Sequence, residues 1–495
     1  MGIILRQAAK SAVATYVGIA IGAVTMLYLF PKFLDAREIG LVKTIIDMSG
    51  LVAPFIVFGT GHVIKRYYND FKENDTDGGI VFTNFLVLLF FTAVSSVLYY
   101  FLKDLIAGAF YDKSPELISY LYIPLFGGIM SAYFFFFRSV SVVFLRTTVP
   151  TILNTTVTRF SVAVLLILYG FWPVLTRTEF VYTYMALYYL FPLILLLIYL
   201  AWLNQGRLMI PAVSKMKEIV KRTSQYNFTL VTASISGVII QISDSLMISS
   251  KEGLVSNGIY AISFYMVSVI SIPRRTIAEI SFPVIRKLIL RDNWAEVQDI
   301  YFKSSISQFL LGFVAFAVIW FNADDIFELM PNGEQYAAGK YVILFIGIGM
   351  LFDLITGVNR QIIEASKVYR FNLFVNIILS VLAIVLNLIL IPRYGIIGAA
   401  VASMSSLVIV NLLMIFIVYH YFKIWPFSRQ SMKSLLLIPP LIVYYFFQFN
   451  SDNPLLDMFV NSTLICGYSG LSIYWLKVSP DFNTIVHQLL TRLKR

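Results

Sequence analysis

Residues 39–66 read IGLVKTIIDMSGLVAPFIVFGTGHVIKR. This stretch is apolar or weakly polar over most of its length, apart from Lys43 and Asp47, and it ends in the basic pair Lys65 and Arg66. Because an apolar helix of about 20 residues crosses the hydrocarbon core of a bilayer, the stretch predicts a transmembrane helix. The two charges inside it are four residues apart and therefore share a helix face.

The composition extends this prediction to the whole chain. Its 495 residues are 59% hydrophobic and only 13% charged, with a mean hydropathy of +0.80, which excludes an ordinary soluble protein. Apolar runs bounded by charged, proline or glycine residues give about fourteen candidate spans. We therefore predict an all-α polytopic membrane protein with short connections and no large soluble domain.

The distribution of lysine and arginine predicts the topology. Alternate connections, beginning with the N-terminus and ending with the C-terminal tail, hold 25 of these residues, whereas the opposite connections hold 8. Positive residues accumulate on the cytoplasmic side, so we expect both termini in the cytoplasm. The net charge of +11 is thus a topology signal, and we expect no nucleic-acid partner.

An internal echo predicts two halves. Gly40 and Pro54 of the second span correspond to Gly258 and Pro273 of the eighth, and both spans end in similar basic strings. The offset equals six spans, which favours a parallel repeat of two six-helix lobes. The predicted domains are an N-terminal lobe (1–202), a cytoplasmic amphipathic linker (203–223), a C-terminal lobe (224–422), two extra helices (423–476) and a cytoplasmic amphipathic basic tail (477–495).

Charged residues inside the apolar segments mark the candidate site. A charge at the bilayer centre costs about 2.5–3.5 kcal/mol on insertion scales, so such residues are expected to face a bundle interior or a watery cavity. They are Lys43, Asp47, Arg159, Arg274, Arg275, Glu279, Asp353, Arg360 and Glu364. Arginines in a cavity suit an anionic ligand, because guanidinium binds phosphate oxygens in a bidentate fork.

Five of these residues are the candidates for substrate binding in a cavity: Lys43, Asp47, Arg159, Arg274 and Asp353. For Lys43 and Asp47 the alternative is a mutually neutralising pair. Arg159 and Asp353 have no opposite charge three or four residues away, so each needs a partner on another helix, a ligand or water. The alternative for these two is a pair with each other, as a gate or a structural lock.

The other four charges are predicted to lie at the cytoplasmic rim or in local pairs: Arg275, Glu279, Arg360 and Glu364. Arg275 and Glu279 follow the proline kink at Pro273, and the second pair repeats the four-residue spacing near a helix end, where long side chains reach the interface easily. We expect no catalytic residues and no metal site. The single cysteine, Cys466, also excludes an internal disulfide, and no cofactor is expected.

Residues 387–403, NLILIPRYGIIGAAVAS, carry a resemblance. In them Pro392 is predicted to end a helix, Gly395 to turn, and the following small residues to allow close helix packing. The segment resembles the signature of polysaccharide and lipid-linked oligosaccharide flippases of the multidrug/oligosaccharidyl-lipid/polysaccharide exporter superfamily. Residues 40–66 and 258–283 resemble further stretches of the same family.

The resemblance implies two six-helix lobes, two additional C-terminal helices and alternating access to a cationic cavity. It implies transport of an undecaprenyl-diphosphate-linked oligosaccharide from the inner to the outer leaflet of a bacterial inner membrane, for O-antigen, capsule or exopolysaccharide synthesis. A coupling ion, H⁺ or Na⁺, is undetermined. The expected partners are this substrate and membrane lipids, with the polysaccharide polymerase machinery as a further candidate, and we expect a monomer.

Other functions stay open at this point. A cation-coupled multidrug or small-molecule antiporter belongs to the same superfamily, although the first helix lacks the acid on which that branch relies. A lipid II flippase is less well supported, because the N-terminal region lacks an obvious basic motif of that branch. A membrane glycosyltransferase or polymerase would need long outer loops with catalytic carboxylates, and the longest candidate loop has about 18 residues.

Overall fold

In a computed structural model of the chain, residues 2–72, 77–144, 146–172, 175–203 and 211–479 are described, together with four residues of the tail. Within these ranges the regular secondary structure is entirely helical. The chain forms two compact units, Met1–Gly258 and Ile259–Arg495.

The first unit contains eight main helices within the described residues. They are α1 (Gly2–Val24), α2 (Ala36–Val57), α3 (Thr60–Lys72), α4 (Asp77–Phe110), α5 (Tyr122–Val143), α6 (Thr148–Phe171), α7 (Arg177–Trp202) and α8 (Val213–Lys251). Helix α2 begins with a capping box, in which Glu38 N donates to Asp35 Oδ1 at 2.7 Å and Asp35 N donates to Glu38 Oε2 at 3.1 Å. Such a cap stabilises a helix start by about 1 kcal/mol.

The second unit begins inside a helix that follows α8. The remaining main helices are α9 (Leu254–Ser268), α10 (Ile272–Leu290), α11 (Trp294–Phe321), α12 (Lys340–Ile355), α13 (Asn359–Ala365), α14 (Arg370–Phe422), α15 (Ile438–Tyr445) and α16 (Pro454–Trp475). Leu437 and Leu441 at α15 and Ile465 of α16 pack with phenylalanines of α11. The two additional C-terminal helices are therefore anchored by a shared apolar core.

The predicted polytopic all-α fold is confirmed. Ten helices within the described residues are long and apolar enough to cross a membrane. One of them, α14, divides at Gly395, where the backbone turns at φ 56° and ψ −136°. With α8, α15 and α16 these helices correspond to the fourteen predicted spans.

Helix α14 corrects one local prediction. Pro392 lies inside the helix and does not end it, whereas Gly395 makes the turn. A positive φ of this kind favours glycine, which has no Cβ to clash with the backbone. The small residues that follow, Gly398, Ala399 and Ala400, are buried, as the predicted close packing requires.

Helix α8 corrects the predicted linker. Residues 213–223 do not form a separate interfacial helix but the first turns of one continuous helix that reaches Lys251. No proline interrupts this stretch, so nothing in it stops the helix from propagating. Residues 204–210 and most of the predicted amphipathic tail, including 480–482, lie outside the described residues.

Close packing positions α2. Gly127 and Gly128 of α5 face it so closely that a Cβ at Gly127 would lie 2.5 Å from Ser49 Oγ. Past Pro54, α2 ends at Phe58 (φ 40°) and Gly59 (φ 74°), and α3 continues from Thr60. The predicted second span is therefore two helices joined by a two-residue break.

Gly40 and Gly258, matched by the predicted repeat, pack reciprocally within the first unit. A Cβ at Gly40 would lie 1.9 Å from the carbonyl oxygen of Leu254, and a Cβ at Gly258 would lie 1.9 Å from that of Ala36. Both Ala36 to Leu254 and Gly40 to Gly258 are offsets of 218 residues, so the contact has local two-fold symmetry. Asn257 Nδ2 adds a buried 3.0 Å hydrogen bond to Thr44 Oγ1.

Candidate substrate-binding site

Helix α2 carries a buried ion pair in its apolar face. Lys43 Nζ donates to both carboxylate oxygens of Asp47, and the Asp47 side chain is only 7% exposed. The spacing of one helical turn brings the two groups together without help from another helix. The pair neutralises both charges, which lowers the cost of holding them in the membrane.

Arg159 lies on α6, directly after a π-helical turn at Leu153–Val157. Its Nη1 is buried and has no hydrogen-bond partner among the described residues. A buried guanidinium nitrogen without a partner carries an uncompensated desolvation cost of about 1–3 kcal/mol or more. An oxygen-rich ligand or water would satisfy it.

Tyr188 connects these groups. It lies in a π-helical turn of α7, Ala186–Leu190, within electrostatic range of both Arg159 and Asp47. Its ring contacts Tyr189 at 4.8 Å and stacks on Tyr184 at 6.0 Å between centroids. Because π-turns are rare and occur frequently at functional sites, two of them beside one charge cluster mark this part of the first unit.

The chemistry of this cluster suits an anion. Three helices contribute an unsatisfied guanidinium, an ion pair whose lysine could be released, and tyrosine hydroxyls able to bind polar groups. Charge-assisted hydrogen bonds from guanidinium to phosphate are roughly twice as strong as neutral ones. Among the described residues, no group of His, Cys, Asp and Glu side chains is arranged to hold a metal ion.

The second unit contains a separate buried network. Arg274 of α10 donates through Nη1 to Asp353 Oδ2 on α12. The other carboxylate oxygen accepts a 2.8 Å hydrogen bond from Asn411 Nδ2 of α14, and Asn411 Oδ1 in turn accepts one of 2.9 Å from Thr356 Oγ1. The partner that Asp353 requires on another helix is thus Arg274, which replaces the alternative of a pair with Arg159.

The predicted rim residues divide. Arg360 Nη1 donates to Asn376 Oδ1 at 2.9 Å. Glu364 is exposed and acts on Arg360 at electrostatic range, so the arginine's hydrogen-bond partner is Asn376 and not the predicted local acid. Glu279 is also exposed, and the side chain of Arg275 lies outside the described residues.

Two residues of these buried clusters were not among the candidates predicted from the sequence. Tyr188 sits in an aromatic run and Asn411 in an apolar one, and neither carries the formal charge by which the candidates were chosen. An amide such as Asn411 in the middle of a membrane helix is itself a signal, because it needs a partner there. Lys65 and Arg138 lie near helix ends, where the positive-inside rule already accounts for a basic residue.

The comparisons with known proteins agree with this architecture. A family model described as polysaccharide biosynthesis protein matches residues 4–289, which is more than half of the chain. The chain belongs to the polysaccharide biosynthesis protein family. A second model, MatE, matches residues 291–389.

One curated relative carries a related name. The capsular polysaccharide biosynthesis protein CapF of Staphylococcus aureus is 22% identical to this family member over 212 residues, which are 42% of this chain and 50% of that protein. The chain therefore aligns with half the length of the curated relative it matches.

Solved structures share the fold. The lipid II flippase MurJ, in an inward closed conformation, aligns with a TM-score of 0.73 at 15% identity, over 94% of this chain and 99% of that one. An inward-facing multidrug resistance MATE family transporter aligns with a TM-score of 0.58 at 11% identity, over 81% and 96%. These alignments show a shared all-α fold, and the polysaccharide biosynthesis model confirms the predicted family resemblance.

Proposed function

We propose that this multi-pass membrane protein is a flippase for a lipid-linked oligosaccharide with an undecaprenyl diphosphate carrier. It moves the saccharide from the inner to the outer leaflet of the bacterial plasma membrane by alternating access, for surface polysaccharide synthesis. Both termini face the cytoplasm, and the protein acts as a monomer that supplies a polymerase.

The unsatisfied guanidinium of Arg159 carries the proposal. A cation held in a membrane span with a buried, unpaired nitrogen needs an anionic or polar ligand to offset its desolvation. A diphosphate supplies several oxygens that accept from guanidinium in a bidentate fork. Family membership in polysaccharide biosynthesis supports a saccharide as the attached cargo.

The pair of Lys43 and Asp47 supports a cycle of binding and release. When a phosphate approaches, the ammonium of Lys43 can exchange from Asp47 to the ligand, which adds a second cation to the site. When the ligand leaves, the lysine returns to its carboxylate, so the empty site carries less uncompensated charge. The hydroxyl of Tyr188, within electrostatic range of Arg159 and Asp47, adds a polar group to the site.

A cation-coupled antiporter is the second candidate, favoured by the buried carboxylate of Asp353 in the other unit. However, its two oxygens already accept from Arg274 and Asn411. A carboxylate neutralised by arginine is a poor site for a second cation. The geometry therefore favours the anionic substrate.

Complementation in cells tests the proposal. We expect the Arg159→Gln variant to lose export of surface polysaccharide in a host that lacks its own flippase, while membrane levels of the protein stay normal. Arg159→Lys should retain part of the activity, because it keeps the charge but not the fork. Arg429→Gln, at an exposed position, is the matched control and should be unaffected.

Wild-type export by Arg159→Gln would contradict the proposed cationic site. Resistance to cationic drugs on expression, abolished by Asp353→Asn but not by Arg159→Gln, would establish the antiporter instead.

A further inference from the structure

We propose that Lys65 of α3 and Arg138 of α5 form a second binding site for a phosphate group, beyond the end of the helix that carries Lys43 and Asp47. The ligand class is a phosphate ester of a membrane lipid, and the diphosphate of the lipid-linked saccharide is the member we infer. That identification rests on the proposed function, whereas the anion site itself does not.

Close packing of α3 on α5 builds the site. A Cβ at Gly61 would lie 2.6 Å from Ser139 Oγ and 2.7 Å from a ring carbon of Phe135, so only glycine permits this approach. Lys65 Nζ lies 4.8 Å from the centroid of the Phe135 ring, and the ring of His62 lies 5.2 Å from it. Phe135 is therefore a platform under one cation and beside an imidazole.

Arg138 follows Phe135 by one helical turn and lies within electrostatic range of Lys65. Both are available to a ligand, since Lys65 is exposed and Arg138 is half-buried. Neither forms an ion pair with a carboxylate in the part of the chain that the structure describes. Two like charges held together lose free energy of repulsion when an anion binds between them.

Asp70 and Arg66, which follow on the same helix, have other partners. Asp70 pairs with Arg222 of α8 at 3.5 Å. The guanidinium of Arg66 lies 4.4 Å from the ring centroid of Tyr226. Among the described residues, Lys65 contacts Phe135 and lies within electrostatic range of Arg138, and no ion pair to a carboxylate neutralises either cation.

The position along the helices gives the site a role. Lys65 is 18 residues beyond Asp47, which separates the two sites by at most about 27 Å at 1.5 Å per helical residue. The break at Phe58 and Gly59 lies between the two sites. Adjoining helices of the first unit thus offer a phosphate two cationic sites at different depths, as capture and delivery of a flipped headgroup require.

Binding measurements on the purified full-length protein in detergent test this. Inorganic pyrophosphate, titrated by calorimetry against the Arg159→Gln protein, reports the second anion site apart from the first. Undecaprenyl diphosphate and phosphatidylglycerol, compared by native mass spectrometry, distinguish a carrier-lipid diphosphate from an ordinary lipid headgroup. The variants are Lys65→Gln, Arg138→Gln and their combination, with Arg429→Gln as the matched control.

We expect the double variant to bind pyrophosphate at least about tenfold more weakly, since each lost charge-assisted hydrogen bond contributes about 1.5–3 kcal/mol. The affinity for undecaprenyl diphosphate should fall in parallel, while the affinity for phosphatidylglycerol should change little. Lys65→Arg and Arg138→Lys should retain binding, which separates loss of charge from loss of fold.

Unchanged pyrophosphate affinity in the double variant would overturn the site. Weaker binding of phosphatidylglycerol alone would overturn the diphosphate assignment. If Arg159→Gln stops export while the double variant binds pyrophosphate normally, the flippase stands and this second site fails. If Arg159→Gln exports normally while the double variant loses pyrophosphate binding, the second site stands and the proposed role of Arg159 fails.

Discussion

Replacing Gly40 with alanine tests the reciprocal packing at the start of α2. The added Cβ would lie 1.9 Å from the carbonyl oxygen of Leu254, whereas real Cβ atoms stay beyond 3.0 Å, so the backbones must separate by about 1 Å. Overpacking of this kind costs about 1–3 kcal/mol. Removing glycine from a helix returns about 0.5–1 kcal/mol, which offsets only part of that cost.

Gly50→Ala provides the matched control. It lies on the same helix, and a Cβ there meets nothing within 4 Å. The substitution therefore gains helix propensity without a steric clash. The two variants should differ by about 1–3 kcal/mol, or about 1–3 °C in Tm for a chain of this length. Fluorescence-monitored thermal unfolding in detergent measures the difference.

Equal Tm values for the two alanine variants would refute the reasoning, because the helix propensity change is the same in both. A lower Tm for Gly50→Ala would also refute it. A Tm loss confined to Gly40→Ala would show that this crossing is tight in the folded protein.

Two further predictions concern the second unit. Arg274→Gln and Asp353→Asn should each destabilise it by about 3 kcal/mol, because each removes one partner of a buried ion pair, while the double variant should lie closer to the wild type. Thermal unfolding of all four proteins gives the cycle, and additive losses would argue against the pair. Gly395→Ala should lower the Tm, because it forces a side chain into a positive-φ conformation at a cost of about 1–3 kcal/mol. Gly470→Ala, where a Cβ meets nothing within 4 Å, is the comparison. Equal Tm values for the two variants would show that the turn relaxes freely.

The fold and the positions of the buried charges could be predicted from the sequence because both follow from local rules. Apolar length identifies a span, and the four-residue spacing of Lys43 and Asp47 offered their pair as the alternative to a cavity role, which the structure shows as an ion pair. The partner of Asp353 could not be predicted, since Arg274 is 79 residues away and reaches it only through the packing of three helices.

The remaining differences have similar causes. The basic residues of 213–223 resemble an interfacial segment, yet helix propagation joins them to a span. Lys65 and Arg138 could not be identified as an anion site from the sequence, because cations near a helix end set topology and can also bind anions. Only the approach of α3 to α5 at Gly61 shows that these two cations are neighbours.

Cys466 lies exposed on α16 and is the chain's sole thiol. Because the middle of α16 crosses the membrane, this thiol faces lipid, where low polarity disfavours the thiolate and slows alkylation by soluble maleimides. A cysteine introduced into a connecting loop can therefore be labelled without first removing Cys466. The natural sequence is thus a ready background for spectroscopic studies of transport.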